Sequence, residues 1–206
     1  MRLLLVSFVL SAAFFCSEAA RADSVAFTIF KEGEAIGHDI YTIDKDGDTT
    51  TVKVATQTDV NILFLEFHYR QDRTEIWKDG QLVSLVSDTN DDGQKHHIEV
   101  HREADSLIGV VDGANRSMGA DTIPFTLWNM AFVNHTKLIN VSTFELIKAA
   151  FEDKGSDQIT IDGKKFDARH FLMSGDLHWD LWYDTNNMLL KSAFKRRGYP
   201  ISFVRE

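Results

Sequence analysis

The sequence is short of cysteine and proline, with one cysteine and two prolines in 206 residues. The cysteine, Cys16, falls in an N-terminal segment that reads as a leader, so the remainder offers no disulfide and no thiolate metal site. Clustered positive charge is also missing: 22 Lys and Arg stand against 31 Asp and Glu, a formal net charge of −9. Nucleic acid is therefore excluded as a partner, because phosphate contacts need grouped Lys and Arg. The one basic cluster, residues 191–197, reads as a strand end and turn whose charges discourage edge-to-edge pairing. There is no GxSxG, no HExxH and no Gly-rich phosphate loop, so an enzymatic reading has no motif to stand on. His178 with Asp180, and His38 beside Asp39, leave a hydrolase acting on envelope material as the alternative.

A long apolar run occurs once, at residues 3–15, behind Arg2. It is too short to span a bilayer and has the length of a signal-peptide core. Ala20 and Ala22 then supply small residues three and one before a cut. Lipidation at Cys16 is disfavoured by the bulky Phe15 before it. The expected organisation is a signal peptide over 1–22 and one β domain over 23–206. Export without disulfides points to a bacterial periplasm, or to secretion beyond it, with no stable membrane anchor. The oligomeric state is left open.

What the chain has in abundance is alternation. Residues 49–58 are rich in Thr and Val with period two, and 60–69 read as one more apolar strand. Five Asp-Gly dipeptides, at 46, 79, 92, 112 and 162, punctuate the chain at intervals that suit hairpins. Residues 174–195 form the clearest case. Leu177, Trp179, Leu181 and Tyr183 fall on one face, His178, Asp180, Trp182 and Asp184 on the other, and 184–187 supply the turn. Residues 124–140 break the rhythm and read as a short helix or an irregular segment that plugs the sheet. Residues 144–154 are ambiguous between helix and strand, with strand preferred. Such spacing predicts a mainly β fold: an antiparallel meander curled into an open or closed barrel-like sheet with little helix.

Four blocks carry a resemblance: residues 75–82 (EIWKDGQL), 89–93 (TNDDG), 128–132 (WNMAF) and 181–184 (LWYD). In this order and spacing the chain resembles a family of secreted proteobacterial proteins catalogued as a domain of unknown function. The resemblance implies a predominantly β envelope protein with no assigned reaction and no functional residues to transfer. It also draws residues 144–154 toward strand.

Asp88, Asn90, Asp92 and Glu99 match the calcium-loop pattern D-x-[DN]-x-[DN]-G-x5-E. The flanks are β rather than helical, however, and a strand through 97–101 carries Glu99 away from the turn. A plain hairpin turn is therefore the first reading, a calcium site the second, and no other cofactor is expected. His97, Glu99 and His101 share a strand face and suit a zinc or copper site if another strand adds a ligand. Fifteen phenylalanines and four tryptophans either fill a core or line a cavity in a curved sheet. For the cavity the candidate residues are Leu65, Phe67, Trp128, Trp179 and Tyr183. The expected function is non-enzymatic: an exported envelope protein that binds an apolar, lipid-like small molecule, or a partner from the envelope. A calcium-stabilised structural module is a further alternative.

Overall fold

The structure, a computed structural model, describes residues 22–62 and 65–206, and only the backbone of residues 61, 62 and 65. The signal-peptide reading thus lies outside the described residues, apart from Ala22. The first arm of the chain runs through β1 (Ala22–Lys31), β2 (Glu34–Asp46), β3 (Thr49–Ile62), β4 (Leu65–Lys78) and β5 (Gln81–Asp91). It continues through β6 (Gln94–Glu103), β7 (Ser106–Val111) and β8 (Ala114–Gly119). The second arm begins with the short β9 (Ile123–Pro124) and β10 (Lys137–Ile139), then the long β11 (Leu146–Ile161) and β12 (Lys164–Gly175). A final meander, β13 (Trp179–Tyr183), β14 (Leu189–Arg196) and β15 (Tyr199–Arg205), ends it.

All fifteen belong to one sheet, ordered β8 to β1 and then β15 to β9. The two arms meet where β1 pairs antiparallel with β15, Ile29 opposite Phe203. Only β9 and β10 pair in parallel. The sheet is antiparallel otherwise and does not close by hydrogen bonds, since β8 and β9 remain its edges. Of the two closures left open by the sequence, the structure shows the open one.

Turn chemistry explains the meander. Asp79-Gly80, Asp92-Gly93, Asp112-Gly113 and Asp162-Gly163 place both turn residues at positive φ, as do Glu32-Gly33 and Arg197-Gly198. That is the type I′ geometry whose twist matches the strands it joins. At the fifth dipeptide only Gly47 is left-handed, and Asp46 stays in β2. In the β13–β14 hairpin, Asp184 Oδ1 accepts from the Asn186 and Met188 amides at 2.8 and 3.0 Å, and Asn187 supplies the positive φ. Register shifts at Ile29/Phe30, Ile76/Trp77, Asp153/Gly155 and Trp182/Tyr183 are the bulges that bend such a long sheet.

Four expectations from the sequence are decided by the fold. Residues 60–69 are not one strand: the chain reverses between Ile62 and Leu65, so Val60 faces Phe67. No glycine, proline or asparagine occupies 62–65, which is why the reversal was invisible. The basic cluster 191–197 is not a sheet edge, because β14 pairs with both β13 and β15. Residues 124–140 form a crossing segment that is irregular between β9 and β10 apart from a single 3-10 turn, Ala131–Asn134, whose Phe132 is fully buried. The segment from Leu146 is a strand, as preferred.

One apolar core runs through both arms, from Val52, Leu85, Ile98 and Leu107 to Phe132, Leu138, Met173 and Leu181. The arms touch where the sheet fails to close. Phe144, itself at positive φ and fully buried, lays its ring on Gly109 of β7, and a Cβ there would sit 2.6 Å from its Cε1. Gly109→Ala is expected to cost about 1–3 kcal/mol in urea denaturation. Phe144→Leu in the same chain should make the two costs sub-additive. Full additivity would show that the ring does not require the glycine.

Candidate functional site

By simple alternation the inward face of β4 carries Tyr69, Gln71, Arg73, Glu75 and Trp77. Arg73 and Glu75 have side chains 4% and 0% exposed and are joined by Arg73 Nε donating to Glu75 Oε1 at 2.7 Å. Charges this dry need their remaining groups satisfied. Arg73 Nη1 donates to Gln71 Oε1 at 2.6 Å and Nη2 to Thr126 Oγ1 at 3.4 Å. Glu75 Oε2 accepts from two indoles, Trp77 Nε1 at 2.9 Å and Trp128 Nε1 at 3.1 Å. The Gln71 amide donates to Thr89 at 3.0 Å and to Ser142 at 2.7 Å, and Tyr69 meets the same Ser142 hydroxyl at 3.2 Å. Burial alone would lower Arg73, but Glu75, with Tyr41 and Asp39, raises it. On β2, Asp39 is 3% exposed and accepts from Thr56 Oγ1 at 2.6 Å. Burial raises its carboxyl above the usual range, against the opposing pull of Thr56, Tyr41 and Arg73.

This polar floor closes one end of a cavity of about 460 Å³. The walls are mainly apolar, with Ile29, Val60, Phe67, Leu127, Trp179 and Phe203 among them. Along β4 the lining runs from Arg73 through Gln71 and Tyr69 to Phe67 and Glu66. Along β2 it runs from Tyr41 and Asp39 to Ile36, and along β15 from Phe203 to Tyr199. The cavity therefore lies parallel to the strands and opens where the β1–β2, β5–β6 and β14–β15 turns gather. A wider cleft of about 1410 Å³ adjoins it and shares Tyr69, Phe125, Val141, Trp179 and Phe194. Its lining takes both Ala193 and Phe194, neighbours on opposite faces of β14, so it is space around the strand rather than one enclosure.

The candidate residues named from sequence scatter. Phe67 and Trp179 line the cavity. Trp128 spends its indole on Glu75 and packs edge-on against Trp77 at 5.8 Å. Tyr183 is fully buried against Phe171, with no partner for its hydroxyl among the described residues. The side chain of Leu65 lies outside the described part. Asp88 and Glu99 both pair with His97, through Nδ1 at 2.7 Å and Nε2 at 3.1 Å. Asn90 accepts from the Gly93 amide at 2.8 Å and Asp92 from the His68 amide at 3.4 Å. The four oxygens of the calcium pattern are thus spoken for separately, as a hairpin turn and its flanks. Among the described residues no group of three or more His, Cys, Asp and Glu is placed to hold a metal. The bond to Asp88, then that to Glu99, raises His97 above its ordinary value. His38, His68, His96, His97, His101 and His170 each pair with a carboxylate, and His135 with the Asp121 carbonyl.

Sequence reasoning missed the Arg73–Glu75 floor. Hydrophobic patterning turns Ile76 inward, yet Ile76 is 37% exposed and Glu75 fully buried. The available signal was a ladder of long polar residues between Tyr69 and Trp77, with aromatic donors at hand.

Residues 27–206 match the family described as Domain of unknown function (DUF6134), and the chain belongs to that family. No curated protein matches it. Among solved structures, it is similar to a beta-barrel-like protein of domain of unknown function DUF1849 from Brucella abortus. The TM-score is 0.64 at 10% identity, over 91% of this chain and 98% of that one. At that identity the likeness is one of fold.

Two outcomes test the floor. Glu75→Gln, which strands a buried guanidinium, should cost about 3–5 kcal/mol in chemical denaturation, and Arg73→Met with Glu75→Leu should recover much of it. The Asp39 carboxyl is raised in the folded state, so its stabilisation is full at acid pH and is lost as pH rises through the folded value. Asp39→Asn should therefore gain stability relative to the parent as pH climbs from about 4 toward neutrality. A pH-independent difference would show that burial does not raise the Asp39 carboxyl.

Proposed function

We propose that this member of the DUF6134 family is an exported, non-enzymatic envelope protein that holds an apolar, lipid-like molecule in the cavity between β1, β2, β3, β4 and β15. The observation that carries the reading is the form of that space. Its walls are mainly apolar, a bonded polar floor closes one end, and the other end opens among the turns. Its volume of about 460 Å³ lies within the range of small-molecule sites, roughly 300–1,000 Å³. Each methylene moved from water into such a space gains about 0.8 kcal/mol, so a single alkyl chain supplies ample affinity. The periplasmic location rests on the N-terminal segment alone.

Trp179 reports on occupancy, because its ring lines the cavity and stacks on Phe194 at 3.7 Å. Protein purified from its own envelope should carry a lipid-sized adduct in native mass spectrometry, lost on denaturation. Val60→Trp, which fills the space near its mouth, should remove the adduct and leave the circular dichroism unchanged. A bare chain whose Trp179 emission also ignores added 1-naphthylphenylamine would overturn the proposal.

A further inference from the structure

Resting on the cavity reading, we infer that the ligand is a single-chain anionic amphiphile, its tail within the sheet and its carboxylate or phosphate head at the mouth beside Arg197. The two ends of the cavity differ in charge. At the floor, Arg73 is compensated by Glu75 and its guanidinium is further engaged by Gln71 and Thr126. Asp39 stands on the same floor. Glu75 lies behind the lining, so an anionic head placed there would meet Asp39 and an arginine already paired, and would find no uncompensated cation to receive it.

At the mouth, three cations lie over aromatic rings: Lys31 over Tyr199 at 4.1 Å, Arg196 over Phe67 at 5.3 Å, and Arg197 over Phe67 at 5.2 Å. Lys31 is paired with Glu32 at 2.7 Å, and Arg196 with Asp91 at 2.9 Å. Arg197 has no carboxylate within ion-pair distance among the described residues; its partner is the Phe67 ring. Glu66 and Asp92 also border the mouth, and Glu66 stands 3.9 Å from His68 Nε2 while Asp92 takes the His68 amide. Arg197 is thus an exposed guanidinium without a carboxylate partner at the opening of the cavity. A guanidinium binds carboxylate or phosphate through two parallel hydrogen bonds. The Phe67 ring beneath it would pack on the first methylenes of the tail.

The test displaces the neutral probe 1-naphthylphenylamine from purified, delipidated protein with four ligands of equal chain length. These are tetradecanoic acid, tetradecyl phosphate, 1-tetradecanol and tetradecyltrimethylammonium. The acid or the phosphate should displace the probe at about one-tenth the concentration of the alcohol, and the stronger of the two identifies the head. Added salt should narrow the gap. Arg197→Gln should weaken the anion about fivefold and leave the alcohol unchanged, whereas Lys165→Gln, the same charge change near the start of β12, should alter neither. If the alcohol or the ammonium competes as well as the anions, the head assignment falls while the cavity reading stands. If the probe does not bind and Trp179 emission is unmoved by any of the four ligands, the cavity reading falls with it.

Discussion

The buried ion pair of Arg73 and Glu75 is the constraint on which the interior depends. Moving two charges out of water costs several kcal/mol for each, and their attraction offsets this only when every remaining donor and acceptor is met. Here the partners come from different parts of the chain. Trp77 and Gln71 belong to β4, but Thr126 and Trp128 belong to the crossing segment between β9 and β10, and Ser142 follows β10. Satisfying the pair therefore fixes the crossing segment against the sheet. A fully bonded network of this kind has one arrangement, whereas an apolar contact in its place would tolerate several. The depth of the cavity follows, because its floor is this network and one of its walls is Leu127.

A cavity needs walls that hold their distance, and an open sheet of fifteen strands does not supply that by hydrogen bonding alone. Two long-range features do. The first is the pairing of β1 with β15, which joins residues at opposite ends of the chain and places Phe27, Ile29 and Phe203 side by side. The second is the contact of Phe144 with Gly109, a side-chain closure across the gap between the edges. Both demand large loop closures before they are rewarded, so the topology implies slow folding compared with a chain of local contacts.

The meander was legible in the sequence because its turns are local. Asp-Gly between alternating runs specifies a hairpin within four residues, and four of the five dipeptides sit at the centre of type I′ turns. The hairpin of residues 174–195 was legible for the same reason. The reversal between Ile62 and Leu65 was not, since nothing there carries a turn preference. Nor was the pairing of the first strand with the last, which no local pattern encodes. For the candidate site the rule that apolar residues face inward gave Phe67 and Trp179 their places but hid Arg73, Glu75 and Asp39. Those residues are inside because they have partners, and partners from Thr56 to Ser142 are a tertiary property.

Burial also decides where charge has leverage. The outer faces of β3, β4, β5 and β6 carry pairs such as Asp59 with His68 and Asp88 with His97, and in each the side chains are 38–68% exposed. Exposed pairs of this kind contribute about 0–1 kcal/mol, because water and salt compete for both members. The same chemistry at the floor is dry. Removing one partner there leaves an ion with nowhere to turn, so the floor tolerates little change and presents a ligand with a neutral, closed surface. The mouth lies between these limits. Its cations rest on Phe67, Tyr69 and Tyr199, where a ring face removes water from one side of the charge without neutralising it. A cation prepared in that way keeps its attraction for an anion at a place where an apolar chain must pass. The charge pattern of the cavity is therefore directional, and the direction follows from which of its charges have already been answered.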